Sequence, residues 1–167
     1  MIKGIKTKIA QFLKYNGLHW TKGVDIGCGR GEALPIIRDY VTHITGVDKT
    51  YINEMSFARG YDKLVIADVK EYEPDIDTEI VFLFDLIEHL EKGDGFSLLN
   101  KLQRVPNIII TTPYRYFEDA GRGQRHLSLW TIDDFYDYDR EIFIARSFWI
   151  FGMPIILAYR FVRGERF

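Results

Sequence analysis

The chain has 167 residues, 47% of them hydrophobic and 28% charged, with a formal net charge of -2. This length suits one compact domain spanning 1–167 and is too short for two, and the near-balanced charge excludes a chain that captures nucleic acid through its overall field. A single cysteine, Cys28, excludes an internal disulfide and fits a reducing compartment.

The first ten residues, M-I-K-G-I-K-T-K-I-A, are basic but carry no continuous apolar run, so no secretory signal is expected and the expected compartment is the cytoplasm. Within the N-terminal segment 1–16, residues 2–16 set Ile2, Ile5, Ile9, Phe12 and Leu13 on one helical face with lysines opposite, which predicts an amphipathic helix. Residues 23–26 then form a short apolar strand leading into a glycine-rich turn. A helix is expected over 31–40, with Pro35 in its first turns. Strands follow at 44–48 and 63–68, separated by a short helix at 51–59.

Residues 79–85, E-I-V-F-L-F-D, are apolar almost without interruption, as in a strand covered on both faces. A helix over 91–104 and a strand over 107–112, closed by Pro113, come next. T-I-D-D-F (131–135) has the form of a capping box, with Thr131 as N-cap and Asp134 three positions on. The stretch 147–158 is the most apolar. It falls well short of the ~20 residues of a spanning helix and is broken by Gly152 and Pro154, so no integral membrane segment is expected. A turn there between strands at 141–150 and 155–162 predicts an antiparallel hairpin. Alternation of strand and helix predicts a parallel, doubly wound α/β sheet with that hairpin at its edge. Only about ten residues join the third and fourth strands, where a crossover usually needs a dozen or more, so that side is expected to be thinly covered.

V-D-I-G-C-G-R-G (24–31) follows the first strand. Glycines in such a turn allow close backbone approach to a ligand. Their spacing at Gly27, Gly29 and Gly31 is G-x-G-x-G, neither the dinucleotide fingerprint G-x-G-x-x-G nor a P-loop. Asp48 lies about twenty positions on, where an acid commonly takes ribose hydroxyls. Asp25, just ahead of the loop, repels a pyrophosphate and suits a cationic amine. S-adenosylmethionine carries an α-ammonium and a sulfonium and no phosphate.

With these residues the chain resembles the class I S-adenosylmethionine-dependent methyltransferases, in particular their small members of types 11 and 12. V-D-I-G-C-G-R-G resembles the family's first motif, G-V-D-K (46–49) the second, and A-D-V (67–69) the segment that faces adenine. F-D-L-I-E-H-L (84–90) and I-I-I-T-T-P (108–113) resemble the fourth and fifth, all in order. The resemblance implies a Rossmann-like, seven-stranded, mostly parallel sheet and S-adenosyl-L-methionine as cofactor. It implies that Asp25, Gly27 and Gly29, with Cys28 between them, hold the methionine end. Asp48 and the adjoining Lys49 then take the ribose, Asp68 and Val69 lie at the adenine, and Asp85 stands near the methionine or the acceptor. Asp68 is equally readable as a helix N-cap, and Cys28 reads as a small buried filler rather than a nucleophile.

Methyl transfer needs an aligned nucleophile and, for a hydroxyl, a proton acceptor. The candidate catalytic residues are Asp85, His89 and His126. No metal is assigned in this reading. Metal-dependent relatives that methylate the terminal 2′-hydroxyl of small RNAs carry a carboxylate-x-x-Glu-His segment and a later histidine. By that likeness Glu88, His89 and His126 are an alternative ligand set, although the first position here is Asp85 rather than Glu. In the broader family E-H-L orients the following helix, so His89 is also readable as structural. The loop 111–131 adds Tyr114, Arg115, Tyr116, Phe117, Arg122 and Arg125, which suit an anionic, planar or sugar-like acceptor.

The expected function is methylation of an oxygen or nitrogen on a small-molecule, glycan or lipid-linked acceptor, at a site that is open or completed by a homodimer or partner subunit. The alternatives are a metal-dependent RNA 2′-O-methyltransferase and a cofactor-binding partner subunit without catalysis.

Overall fold

The computed structural model describes residues 3–49, 60–114, 125–147 and 150–161. The expected helix at 51–59 and the loop residues Arg115, Tyr116, Phe117 and Arg122 lie outside them.

Helix α1 (Lys3–Asn16) opens the fold. Its Ile5, Ile9 and Leu13 are fully buried, the stripe that the 3.6-residue period predicts. Strand β1 (Trp20–Ile26) leads into the glycine turn. The expected helix over 31–40 is cut to α2 (Leu34–Ile37) and a 3-10 turn, Arg38–Tyr40. The glycine turn runs on through Gly31, whose φ is 73°. Ile36 bonds the Ala33 carbonyl in a tight turn at 2.8 Å and Arg38–Tyr40 is wound as a 3-10 turn, so little α-helix remains before β2 (Val41–Asp48) begins.

Strands β3 (Lys63–Ile66), β4 (Ile80–Phe84) and β5 (Asn107–Pro113) follow, with helix α3 (Lys92–Lys101) before β5. Strands β6 (Asp139–Ser147) and β7 (Ile150–Phe161) close the sheet as an antiparallel hairpin. Strand β6 ends at Ser147 and β7 begins at Ile150, so Gly152 and Pro154, expected at the turn, sit inside β7. Proline is tolerated there for a geometric reason. The Pro154 carbonyl accepts the Tyr114 amide at 3.0 Å, so its amide-less nitrogen also faces the β5 side, just past the last paired residue of β5, and no β6–β7 ladder bond is lost.

The sheet order is β3-β2-β1-β4-β5-β7-β6, parallel from β3 through β5. Strand β4 is apolar throughout because both faces are covered. Ile80, Phe82 and Phe84 face the layer of α1 and α2, while Val81 and Leu83 face the layer of α3, Trp130 and Phe135. Strand β1 lies between β2 and β4, so the connections leave in opposite directions there. A crevice opens at such a switch point, beyond the carboxyl ends of the strands. The β3–β4 connection, residues 67–79, is longer than the ten expected because β3 ends at Ile66 and β4 begins at Ile80. It holds hydrogen-bonded turns at Asp68 and Asp75 but no helix, and Ile66 and Ile76 are exposed, so this side is thinly covered. No described helix is long and apolar enough to cross a membrane.

Candidate active site

The crevice is a cleft of about 650 Å³. It gathers Asp25 from β1, Gly27, Cys28 and Gly29 from the turn after it, Asp48 from the end of β2 and Lys49 just beyond, Asp68 and Val69 after β3, and Asp85 and His89 after β4. Its volume lies in the range of small-molecule sites.

The glycine turn is built to be close and phosphate-free. Gly27 and Gly29 have φ of 75° and 52°, a region that side chains disfavour. A Cβ on Gly27 would stand 2.6 Å from Leu86 Cδ1, whereas one on Gly29 would meet nothing within 4 Å. The amides of Gly27 and Cys28 both donate to the Val47 carbonyl, at 2.8 and 3.0 Å, and that of Gly31 donates to the Cys28 carbonyl at 2.8 Å. The Gly29 amide donates to Asp48 Oδ2 at 3.0 Å. All four amides have acceptors within the protein, and one faces a carboxylate. A phosphate cradle requires such amides to point at the ligand. The cleft lining also holds five carboxyl side chains (Asp25, Glu32, Asp48, Asp68 and Asp85) against three cations (Arg30, Lys49 and Lys70). A cationic ligand is favoured as the buried Asp25 and Asp85, whose carboxyls burial shifts upward, become ionised.

Asp25 is almost completely buried and accepts a hydrogen bond from the Tyr61 hydroxyl. Burial pushes its carboxyl up to about 7, against the opposing effect of the Tyr61 hydrogen bond. Cys28 is buried, and desolvation together with the Asp25 and Asp48 charges holds it as the thiol. It is not an activated nucleophile. Asp68 accepts the Lys70 amide at 3.0 Å and pairs with Lys49 at 3.1 Å. Those contacts lower its carboxyl pKa, the Lys70 amide most of all. It therefore caps a turn while lining the cleft.

Beyond β4 the chain turns sharply at Asp85, whose φ of 49° is unusual for a side-chain-bearing residue. Its carboxyl accepts the Thr111 hydroxyl at 3.2 Å and is shifted upward by desolvation. A 3-10 turn, Ile87–His89, buries Glu88 on the far side, where Thr112 Oγ1 donates to it at 3.1 Å. Burial, reinforced by the Asp85 charge, raises the Glu88 carboxyl well above its usual value. His89 Nδ1 lies 3.2 Å from the Arg125 carbonyl. A carbonyl only accepts, so Nδ1 carries the proton and Nε2 is left as the basic nitrogen.

The segment 125–131 returns over this turn. The Leu127 and Ser128 amides bond the Glu88 carbonyl at 2.7 and 3.1 Å, and buried Trp130 donates to the Ile87 carbonyl at 3.2 Å. His126 is thereby brought edge-on to His89, with ring centroids 4.9 Å apart. Ligand-type atoms of Glu88, His89 and His126 all lie within 4.8 Å of one another.

No protein-family model and no curated protein sequence matches the chain. Solved structures do. The methyltransferase domain of bacterial CtHen1 superposes with a TM-score of 0.64 at 18% identity, covering 96% of this chain and 98% of that one. Magnesium protoporphyrin IX methyltransferase from Synechocystis, with bound S-adenosylmethionine, gives 0.67 at 12% identity, covering 94% and 80%. The N-methyltransferase NodS from Bradyrhizobium japonicum gives 0.67 at 10% identity, covering 94% and 95%. The chain has the class I methyltransferase fold.

Within the methyltransferase fold, every residue expected at the cofactor lines the one cleft, together with His89. His126 is not part of that lining and approaches through its contact with His89. Sequence reasoning missed Arg30, Glu32, Lys70 and Leu86 in the lining, and Tyr61 behind it. Arg30 and Leu86 lie inside stretches already singled out and Glu32 directly follows one, so their positions alone could have suggested them. Tyr61 lies in no motif.

Proposed function

We propose that this chain is an S-adenosylmethionine-dependent methyltransferase of the cytoplasm, acting as one domain on an oxygen or nitrogen of a small-molecule, glycan or lipid-linked acceptor. The observation that carries the proposal is the combination of a glycine turn whose four amides are bonded within the protein and an acid-rich cleft at the switch point. That donor set fits a phosphate-free cation and does not fit a dinucleotide.

The bound cofactor supplies an activated methyl group and departs as S-adenosylhomocysteine. Asp25 receives the α-ammonium, and Gly27, Cys28 and Gly29 form the wall beside the methionine chain. Asp48 accepts from the ribose hydroxyls, with Lys49 next to it. Asp68 and Val69 border the adenine. Asp85 faces the methionine end and the acceptor. His89 Nε2 takes the proton released by the acceptor as its oxygen or nitrogen bonds the methyl carbon, and His126 steadies the His89 ring. Exposed Ile66, at the carboxyl end of β3, supports a cleft edge that is open, or completed by a second copy or partner subunit.

Titration calorimetry with S-adenosylhomocysteine and with NAD tests the assignment. The expected outcome is binding of the first and none of the second. Binding of NAD alone overturns it. A methyl-donor turnover screen over pooled metabolites and glycans then separates an enzyme from a cofactor-binding partner subunit.

A second reading is favoured by the clustering of Glu88, His89 and His126. One carboxyl and two imidazoles are a sound ligand set for a divalent ion, which would ionise Glu88 and polarise an acceptor hydroxyl such as an RNA 2′-hydroxyl. Manganese titration of the wild type and of His126→Ala tests it. Binding lost in the variant supports this reading, and methylation unaffected by EDTA removes it.

A further inference from the structure

Asp25 faces the layer of α1 and α2, opposite in direction to its neighbours Val24 and Ile26. On that side α1 presents apolar Ile5, Ile9 and Leu13 to the core, with Phe12 packed beside them. Among the described residues, the titratable groups around Asp25 are Tyr61 from the β2–β3 connection, Asp48 from the end of β2 and Cys28 from the glycine turn. Arg30, Glu32, Lys49, Asp85 and His89 line the same cleft. Tyr61 supplies the hydroxyl donor in this set.

The placement of Tyr61 is built from several sides. Gly46 in β2 leaves room for its ring, since a Cβ there would lie 3.2 Å from Tyr61 Cδ1 and 3.0 Å from Cys28 Sγ. The next residue, Asp62, is clamped to β2. Its amide donates to the Ile44 carbonyl at 3.0 Å, and its carboxylate accepts the Ile44 amide at 2.7 Å. Arg38 grips the same carboxylate with two bonds, at 2.5 and 3.1 Å. The ring of Tyr61 is thus held between β2 and the cleft, with its hydroxyl on a buried carboxylate.

We infer that Tyr61 is a positioning residue of the ligand site, whose hydroxyl orients the Asp25 carboxylate and favours its charged form, so that the site captures a ligand ammonium at neutral pH. The inference rests on the cofactor reading above. A hydroxyl donor stabilises an ionised carboxylate, and burial opposes it. Without the donor, a higher pH is needed before Asp25 can receive a cation.

The test is calorimetric titration of S-adenosylhomocysteine into the wild type, Tyr61→Phe and Asp25→Asn between about pH 6 and pH 9, with melting curves at each pH. For a hydrogen bond to a charged group, affinity in Tyr61→Phe should fall about tenfold near the acid end and within about twofold near the alkaline end. Asp25→Asn should bind weakly with a flat profile. An equal loss at every pH in Tyr61→Phe means a purely structural role and overturns the inference, as does an unchanged profile. If Tyr61→Phe does not fold, the acid-side loss is sought in the wild type against the flat Asp25→Asn profile, and a flat wild-type profile overturns the inference. Absence of binding by the wild type at every pH refutes the cofactor reading itself, a result distinct from the others.

Discussion

Asp48 accepts the amide hydrogen of Gly29 at 3.0 Å, tying the end of β2 to the turn that follows β1. The acid expected to meet a ribose is therefore also a strut of the glycine turn. Asp48→Ala should weaken S-adenosylhomocysteine binding by about tenfold or more and cost about 1–2 kcal/mol of stability, because the Gly29 amide loses its acceptor. Asp48→Asn retains an acceptor oxygen and should recover most of the stability. Calorimetry and thermal melting separate the two effects.

Gly27 and Gly29 share a backbone conformation but face different surroundings. Both substitutions to alanine incur about 1–2 kcal/mol from the left-handed φ. Gly27→Ala adds a collision with Leu86, at 2.6 Å from the new Cβ. Gly29→Ala adds none within the protein and sets its methyl group in the cleft. Melting should fall by about 3 °C in Gly29→Ala and by about twice that in Gly27→Ala. Ligand affinity should drop in Gly29→Ala far more than its modest loss of stability suggests.

Asp25 opposes stability in order to serve the site. Its folded pKa is raised to about 7 by burial, so the folded chain holds a proton that the unfolded chain releases. By linkage, its contribution is fully present below the ordinary carboxylate range and is lost as pH rises to about 7. Asp25→Asn removes that loss. The variant should melt several degrees above the wild type near pH 8 and show little difference near pH 4, about where a carboxylate is protonated anyway. Its ligand affinity should fall. A lower melting temperature at both pH values would contradict this account.

Gly95 lies in α3, where helix propensity alone predicts that alanine stabilises by about 1 kcal/mol. The structure reverses the sign. A Cβ at Gly95 would run into the indole of Trp130, which is fully buried and held beneath Lys92, whose Nζ lies 4.0 Å from the ring centroid. Overpacking of this kind costs about 1–3 kcal/mol. Gly95→Ala should therefore melt below the wild type, and Gly95→Ala with Trp130→Phe should regain part of the loss.

The sequence alone determined the succession of strands along the chain and the position of the glycine turn between the first strand and the residues that follow it. Those properties are local. A continuous apolar run such as 80–84 requires cover on both faces, and closely spaced glycines after a strand mark a tight turn, whatever the rest of the chain does. The expected helix over 31–40 was cut short because the glycine turn runs on through Gly31 and β2 begins at Val41, leaving room for one helical turn and a 3-10 turn, a limit that residue periodicity does not register. The hairpin turn was misplaced because Pro154 looks like a breaker until β5 is seen to end beside it.

Tertiary structure alone decided which groups meet. Tyr61 reaches Asp25 across thirty-six positions, and Arg125 and His126 reach His89 across a similar span. Such pairs depend on strand register and on how much water is excluded around them, and no short stretch of sequence encodes either quantity. The same holds for the glycine turn: its spacing is visible in the sequence, but that its amides are already bonded to Val47, Cys28 and Asp48 emerges only when β1 and β2 lie side by side.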